Sequence, residues 1–376
     1  MDYSSIKLYR SSDEPLHLQL TKQLRRLALS SSAPSPLPSE RSLCELLKLN
    51  RSTVHRAYET LLQEGVVAAT AKRQLEFLPG AKRRLAGAFP SVGVLLPESF
   101  SSYIERNNGS GLRYLKGIFD RAAELECAVF ILQIPPPESS EKEVNAFIEG
   151  NFHKLIGIIH LGGRECHNDK PLEQVFKYDK LPPIFISGEP LLPHIGSVYT
   201  DFTAAGKEFG ELLLKNNCRK IGIIISCGDP RESGYRYTAL SRGALMKKLL
   251  TSCGLEIDGK WDISLPAHHS PEEELEKRFQ KGIPLPDVFW CVNDTIAAEV
   301  MNFFKAKQLR VPEDIQIAGF DGTFVAEGLS SISQQFHQLG AEAVNLLWEH
   351  FEYGINEKNR FRCVEARFYP GKTIKV

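Results

Sequence analysis

Residues 37–67, LPSERSLCELLKLNRSTVHRAYETLLQEGVV, read as two short helices joined by a tight turn and ending in a turn-to-strand step. Pro38-Ser39-Glu40-Arg41 starts a helix: a hydroxyl cap, acidic charge in the first turn, then Leu43, Leu46 and Leu47 at helical spacing. Leu49-Asn50-Arg51-Ser52-Thr53 breaks and restarts it. In the second helix Val54, Ala57, Tyr58, Leu61 and Leu62 predict the buried stripe. Arg51, Ser52, Thr53, His55 and Arg56 fall on the exposed N-terminal face. A chain presents a helix to DNA in this way, and side chains of these types reach base edges and phosphates, joined by Ser39 and Arg41 at the start of the first helix.

Charge points the same way. The whole chain is neutral, with 46 basic and 46 acidic residues among 376. Residues 1–84 hold 14 lysines and arginines against 8 acids, a net of +6, so the remainder carries −6. A solvated face on an ordinary small helical domain is the plainer explanation of these charges. The asymmetry instead suits a polyanion-binding head on a body that avoids DNA.

The spacing of this segment resembles the winged-helix domain of the gluconate-repressor (GntR) family of bacterial transcription regulators. The family pattern P-L-x-x-Q-L is met by Pro15-Leu16-His17-Leu18-Gln19-Leu20, and L-P-S-E-R-x-L by residues 37–43. S-R-x-T-V-x-x-A is met by residues 50–57 with Asn50 at its first place, and L-x-x-E-G-hydrophobic by residues 61–66. There are two departures. Ser30-Ser31-Ser32-Ala33 replaces the glycine before the L-P-S-E-R motif, and residues 68–75 lack the glycine-rich wing tip, which leaves Lys72 and Arg73 as the wing's remaining phosphate contacts. The resemblance implies a mostly α winged helix-turn-helix at residues 1–80. Residues 81–90, basic and then small before a proline, read as a linker.

Beyond it the periodicity changes. Apolar runs at residues 92–96, 128–133, 155–161, 183–187, 220–226, 288–292 and 315–320 alternate with helical patterns at 112–125, 204–215, 240–250, 272–279 and 295–306. Strands apolar throughout and separated by helices predict parallel sheets covered on both faces, with ligands at the carboxyl ends of the strands. So many strands favour two similar lobes. No segment approaches the roughly 20 apolar residues that cross a bilayer, and no signal peptide opens the chain, so a cytoplasmic protein is expected. The eight cysteines form no C-x-x-C pair and mostly sit in apolar runs, as buried free thiols do. His160, Cys166 and His167 lie close together, but no second pair stands at ligand spacing, and no metal or other cofactor is expected.

Several of these segments resemble the effector domain of the lactose and purine repressor (LacI) family. They are residues 181–187 (LPPIFIS), Ser197-Val198-Tyr199-Thr200-Asp201, residues 218–224, residues 286–297 (PDVFWCVNDTIA), residues 311–321 (VPEDIQIAGFD) and residues 329–336 leading into Leu339-Gly340. The resemblance, from about residue 91 to about residue 350, implies a two-lobed, periplasmic-binding-protein-like α/β domain at residues 91–376. Its first lobe would take residues 91–217 and 334–351, and its second residues 219–332 plus a last strand near 361–368.

By that resemblance a small effector, a sugar or related metabolite, sits between the lobes. Asp294, at a strand end, grips it or caps the following helix. Glu98, Ser99 and Phe100 line the cleft or form a plain loop, and Phe336 beside Gln334 stacks on the effector or belongs to the core. The family's arginine falls on Leu240, so Arg236 or Arg242 replaces it or the contact is absent. Asp201 and Asp321 are further candidates, being near strand ends, where aspartates commonly cap helices; His268 and His269 lie in a loop that could reach the cleft.

The expectation is a regulator that binds operator DNA as a homodimer, lobe closure changing the spacing of its heads. An enzyme acting on a small metabolite, a solute-binding protein and a regulator with a non-sugar effector are the alternatives. There is no G-x-G-x-x-G loop, no G-x-S-x-G elbow and no assignable catalytic residue.

Overall fold

The computed structural model describes residues 3–10, 14–30, 36–70, 74–78, 90–106, 109–152, 155–161, 169–178, 181–186, 195–227, 233–266, 269–323, 326–353, 355 and 359–375. The expected linker, apart from Pro90, lies outside them.

Three helices, α1 (Leu16–Ser30), α2 (Glu40–Leu47) and α3 (Arg51–Gln63), and an antiparallel ribbon, β1 (Val67–Ala69) and β2 (Leu75–Phe77), make the head. Local chemistry sets the break between α2 and α3. Ser39 caps α2 by accepting from Ser42 N at 3.1 Å, and Lys48 ends it in the left-handed region at φ 53°. Asn50 then caps α3, accepting from Thr53 N at 3.0 Å. Leu20, Leu24, Leu37, Leu43, Val54, Ala57, Tyr58, Leu61, Val66 and Phe77 form the head's core. Leu62 is the exception to the predicted stripe: one residue round the helix from Leu61, it falls on the flank of α3 and is 41% exposed. The ribbon is extended on one side by Leu37, whose N–H donates to Leu75 O at 2.8 Å.

The body is two six-stranded sheets of like order. The first runs β4 (Ala128–Gln133), β3 (Ser91–Leu96), β5 (Leu155–His160), β6 (Pro183–Ile186), β7 (Gly196–Asp201), β13 (Phe361–Glu365), all parallel. The second runs β9 (Glu256–Pro266), β8 (Lys220–Cys227), β10 (Val288–Cys291), β11 (Gln316–Asp321), β12 (Ser330–Ser333), β14 (Arg367–Tyr369), parallel except for β14. The helices of the first lobe are α4 (Phe100–Arg106), α5 (Ser110–Glu124), α6 (Glu141–Asn151), α7 (Lys170–Phe176) and α12 (Phe336–Tyr353). Those of the second are α8 (Thr203–Lys215), α9 (Ser233–Ser252), α10 (Glu272–Gln280) and α11 (Asp294–Ala306). Strands β3, β5 and β10 are buried along their whole length, as sheets covered on both faces require.

Two boundaries differ from the sequence expectation. Helix α8 belongs to the second lobe, because Phe202, Ala205, Phe209 and Leu213 enter that lobe's core. The single last strand is two: β13 pairs with β7 in the first lobe, and after Ala366 β14 pairs with β12 in the second. The chain therefore crosses between lobes after Asp201, after Ser333 and at Ala366. These crossings are tied together, for Ala366 N donates to Asp201 O at 2.8 Å.

Glycines let α5 and α12 touch backbone to backbone. A Cβ at Gly117 would stand 1.8 Å from His337 O, and one at Gly340 2.2 Å from Tyr114 O. Gly117→Ala should force the helices apart and destabilise the body by about 3 kcal/mol, the upper end for overpacking, measured as a lowered urea midpoint at unchanged slope.

Candidate functional site

Two constellations stand out. The first is the exposed face of α3. Arg51 occupies its first turn and is 86% exposed at the side chain, with Nε 3.0 Å from Glu40 Oε2. His55, one turn on, places Nδ1 2.8 Å from Glu40 Oε1 and Nε2 3.3 Å from Glu59 Oε1. Glu40 thus joins α2 to α3 through its two oxygens, and both contacts hold its pKa below the usual carboxylate range, His55 first and Arg51 second. Arg56 is exposed on the same helix, and Arg41 is exposed and paired with Glu45 at 3.0 Å. Ser39 and Thr53 are taken up by the caps, and Ser52 donates to Asn50 Oδ1 at 3.2 Å. Lys72 and Arg73 lie outside the described residues.

The second lies where the lobes meet. Asp321 ends β11 with φ 108°, a left-handed conformation that a non-glycine residue adopts under constraint. Its Oδ1 accepts from Arg242 Nη1 at 3.1 Å and from Gln334 Nε2 at 2.5 Å. Gln334 Oε1 in turn accepts from the Thr200 hydroxyl at 3.1 Å. Arg242 is fixed by Val292 O at 2.8 Å, with its guanidinium 4.2 Å above the Phe320 ring. Among the described residues no hydrogen-bond partner meets Asp321 Oδ2. Burial raises the Asp321 pKa to about 6; the Arg242 charge opposes this and the Asp294 charge adds to it. The cluster sits at the carboxyl ends of β11 and β7 and on a crossing, the place parallel sheets reserve for ligands. Arg113 of α5 bridges the lobes beside it, donating from Nη1 to Gly322 O at 2.6 Å.

The structure rearranges the sequence candidates around this cluster. Arg242, Asp321 and Gln334 come together. Asp294 does not join them: it is 1% exposed, and its carboxylate accepts from Thr323 N at 2.6 Å, Thr323 Oγ1 at 3.0 Å and Ser331 Oγ at 2.6 Å. All of these donors belong to the second lobe, so Asp294 is a structural clasp, and the helix cap is Asn293. Phe336 has the surroundings of the core reading: it is buried in the first lobe's core, edge-on to Tyr114 at 4.8 Å. Asp201 accepts from Thr203 N at 2.8 Å, two residues ahead of it at the start of α8.

Glu98, Ser99 and Phe100 do follow the carboxyl end of β3. There Ser99 caps α4 through Ser102 N at 3.3 Å and Phe100 is exposed. The Arg236 side chain and His268 lie outside the described residues, and His269 is exposed. His160 is buried between Phe176 and Phe185, while Cys166 and His167 are not described. Among the described residues no cluster of metal-ligating groups occurs and no helix is long and apolar enough to cross a membrane. The thiols of Cys127, Cys218 and Cys291 are buried as expected, whereas Cys363 is exposed on the edge strand β13.

Residues 210–374 match the family model of the periplasmic binding protein-like domain. The body has the periplasmic-binding-protein-like fold. The chain is 24% identical over 292 residues to the catabolite control protein A of Staphylococcus epidermidis, covering 74% of this chain and 80% of that one. It is 29% identical over 210 residues to the HTH-type transcriptional repressor PurR of Pasteurella multocida, covering 54% and 59%. A LacI family transcriptional regulator from Arthrobacter, solved in complex with lactose, superposes with a TM-score of 0.57 at 19% identity, covering 76% of this chain and 100% of that one. None of these names is an enzyme's. The head lies outside the matched residues 210–374, so its character rests on its own geometry and motifs.

Proposed function

We propose that this protein is a DNA-binding transcription regulator whose operator affinity is set by a small polyhydroxylated effector held between the lobes of its periplasmic-binding-protein-like body. The observation that carries it is the Arg242–Asp321–Gln334 cluster at the crossing, in a chain that also bears a basic helical head. The head acts as a winged helix of the GntR type: three helices with capped α2 and α3, a following antiparallel ribbon, and Arg51, His55 and Arg56 on the outward face of α3 support this. The protein works in the cytoplasm as a homodimer. Two heads then meet half-sites about 34 Å apart, and a change in lobe angle alters their spacing. The lactose complex of the Arthrobacter regulator supports a sugar-like effector.

In this mechanism an effector hydroxyl donates to Asp321 Oδ2 while Arg242 donates to an effector oxygen. Effector and operator then couple reciprocally, typically by about 1 to 3 kcal/mol. The test is a thermal-shift screen of the full chain against mono- and oligosaccharides, followed by gel-shift titration of DNA with and without each hit. At least one sugar should raise the melting temperature and change DNA affinity. Asp321→Asn should weaken that sugar by roughly 10- to 100-fold, the worth of a hydrogen bond to a charged group, without losing the fold. Because the ionised form of Asp321 is the acceptor and its pKa is about 6, sugar affinity should rise between about pH 5 and about pH 7. Absence of sequence-preferring DNA binding under every ligand condition would end this reading.

A further inference from the structure

We propose that His55, held between Glu40 of α2 and Glu59 of α3, makes DNA reading by this head tighter at acidic than at alkaline pH, and that Glu40 is the positioning residue that sets His55 and Arg51 together. This deepens the DNA-reading role proposed above and rests on it.

The geometry has a single proton at its centre. When the imidazole is protonated, Nδ1–H donates to Glu40 over 2.8 Å, and Nε2 forms an ion pair with Glu59 at 3.3 Å. With Arg51 at 3.0 Å from the other Glu40 oxygen, the quartet Arg51, His55, Glu40 and Glu59 is then neutral. When the proton leaves, one ring nitrogen turns a lone pair toward a carboxylate and the quartet carries −1. That charge sits on the face that approaches a polyanion. Among the described residues the charged groups facing His55 are these three: Glu40's hydrogen bond and Glu59's charge raise its pKa, while Arg51's charge lowers it. Neutral imidazoles ordinarily dominate above about pH 6.5, and the contacts with Glu40 and Glu59 move the change to higher pH.

The sign follows from linkage. DNA phosphates favour the protonated quartet, so the complex binds the proton more tightly than the free head does. Affinity is therefore full below the pKa of the free head, falls as pH rises toward the pKa of the complex, and is level above it. The slope is at most one decade per pH unit for each head.

Glu40 acts on both partners at once. With Nε engaged, Arg51 keeps its Nη edge for a guanine or a phosphate, and the α2–α3 link fixes where that edge points.

The experiment uses the full chain and a duplex of about 30 base pairs, long enough for two half-sites, recovered by selection from a random pool at neutral pH. Anisotropy titrations run from about pH 6 to about pH 8.5 should show wild-type affinity falling by roughly tenfold or more. His55→Gln should be flat within about twofold, and His55→Arg, a permanent cation, should stay tight throughout. Glu40→Gln should move the midpoint to lower pH. The His55 variants should melt with the wild type, since the His55 side chain is 54% exposed. A wild-type profile as flat as that of His55→Gln, or an undiminished slope in His55→Gln, overturns the inference while leaving DNA binding intact. Failure of any duplex to be enriched overturns both.

Discussion

Replacing Arg51 by alanine should leave a folded, effector-responsive protein that no longer finds its operator. A bidentate arginine–guanine pair contributes about 1 to 3 kcal/mol of discrimination, and a dimer loses it twice, so operator affinity should fall by roughly 30-fold to 10⁴-fold. Stability should hardly change, because Arg51 is 86% exposed and its pair with Glu40 lies in water, where such pairs contribute about 0 to 1 kcal/mol. Gel-shift titration at several salt concentrations separates two roles. If Arg51 reads a base, specific affinity collapses toward the non-specific level and the salt slope holds; if it meets a phosphate, affinity drops for every sequence and the slope falls by about one per head. Arg56→Ala is expected to weaken all sequences alike, because Arg56 lies a turn further from the N-terminal end of α3. Retention of operator affinity within about twofold in Arg51→Ala would mean that another element enters the groove.

The head was legible because its decisions are local. Ser39 and Asn50 cap through their own neighbours, and the stripe Val54, Ala57, Tyr58, Leu61 follows helical spacing. Leu62 is exposed although it fits the spacing, because it lies on the flank of the stripe, where an apolar residue is buried only if a neighbouring element reaches round to it. Glu40 was visible only as acidic charge in a first turn. Its contacts with Arg51 and His55 span 11 and 15 residues across the turn, a distance periodicity does not report.

In the body, strands buried on both faces announce themselves as apolar runs whose ends agree with the structure to within a residue or two. The long strand β9 was missed: in Glu256–Pro266 buried positions such as Trp261, Ile263 and Leu265 alternate with exposed ones, because β9 lies at the edge of its sheet. The lobe boundary is hidden from the sequence because α8 follows a first-lobe strand directly, and only packing of Phe209 and Leu213 shows which core it joins. The cleft was the hardest part. Asp294 and Asp321 both follow apolar strands, and nothing in their local sequence says which carboxylate is consumed by the protein. Arg113, which reaches across to Gly322, carries no local signal at all.

That distinction between the two aspartates yields the other large effect. Asp294→Ala should destabilise the body by about 3 to 5 kcal/mol, lowering its melting temperature by roughly 10 °C, because it leaves the half-buried Thr323 N–H and hydroxyl and the buried Ser331 hydroxyl without their acceptor. The site is built for the carboxylate: a Cβ at Gly319 would stand 2.3 Å from Asp294 Oδ1, so even the neighbouring strand leaves room for it. Asp294→Asn keeps the volume and one acceptor, and should lose about half as much. The isosteric variant also reports on the cleft. The Asp294 charge helps hold the Asp321 pKa near 6, so removing it makes Asp321 easier to ionise, and the rise of effector affinity with pH should begin at lower pH in Asp294→Asn than in the wild type. Differential scanning calorimetry and effector titrations at stepped pH check the two parts separately. A wild-type melting temperature in Asp294→Ala together with lost effector binding would return Asp294 to the cleft; a lower melting temperature with effector affinity still governed by Asp321 keeps it as the clasp that holds Thr323 and, through it, the strained turn at Asp321 and Gly322.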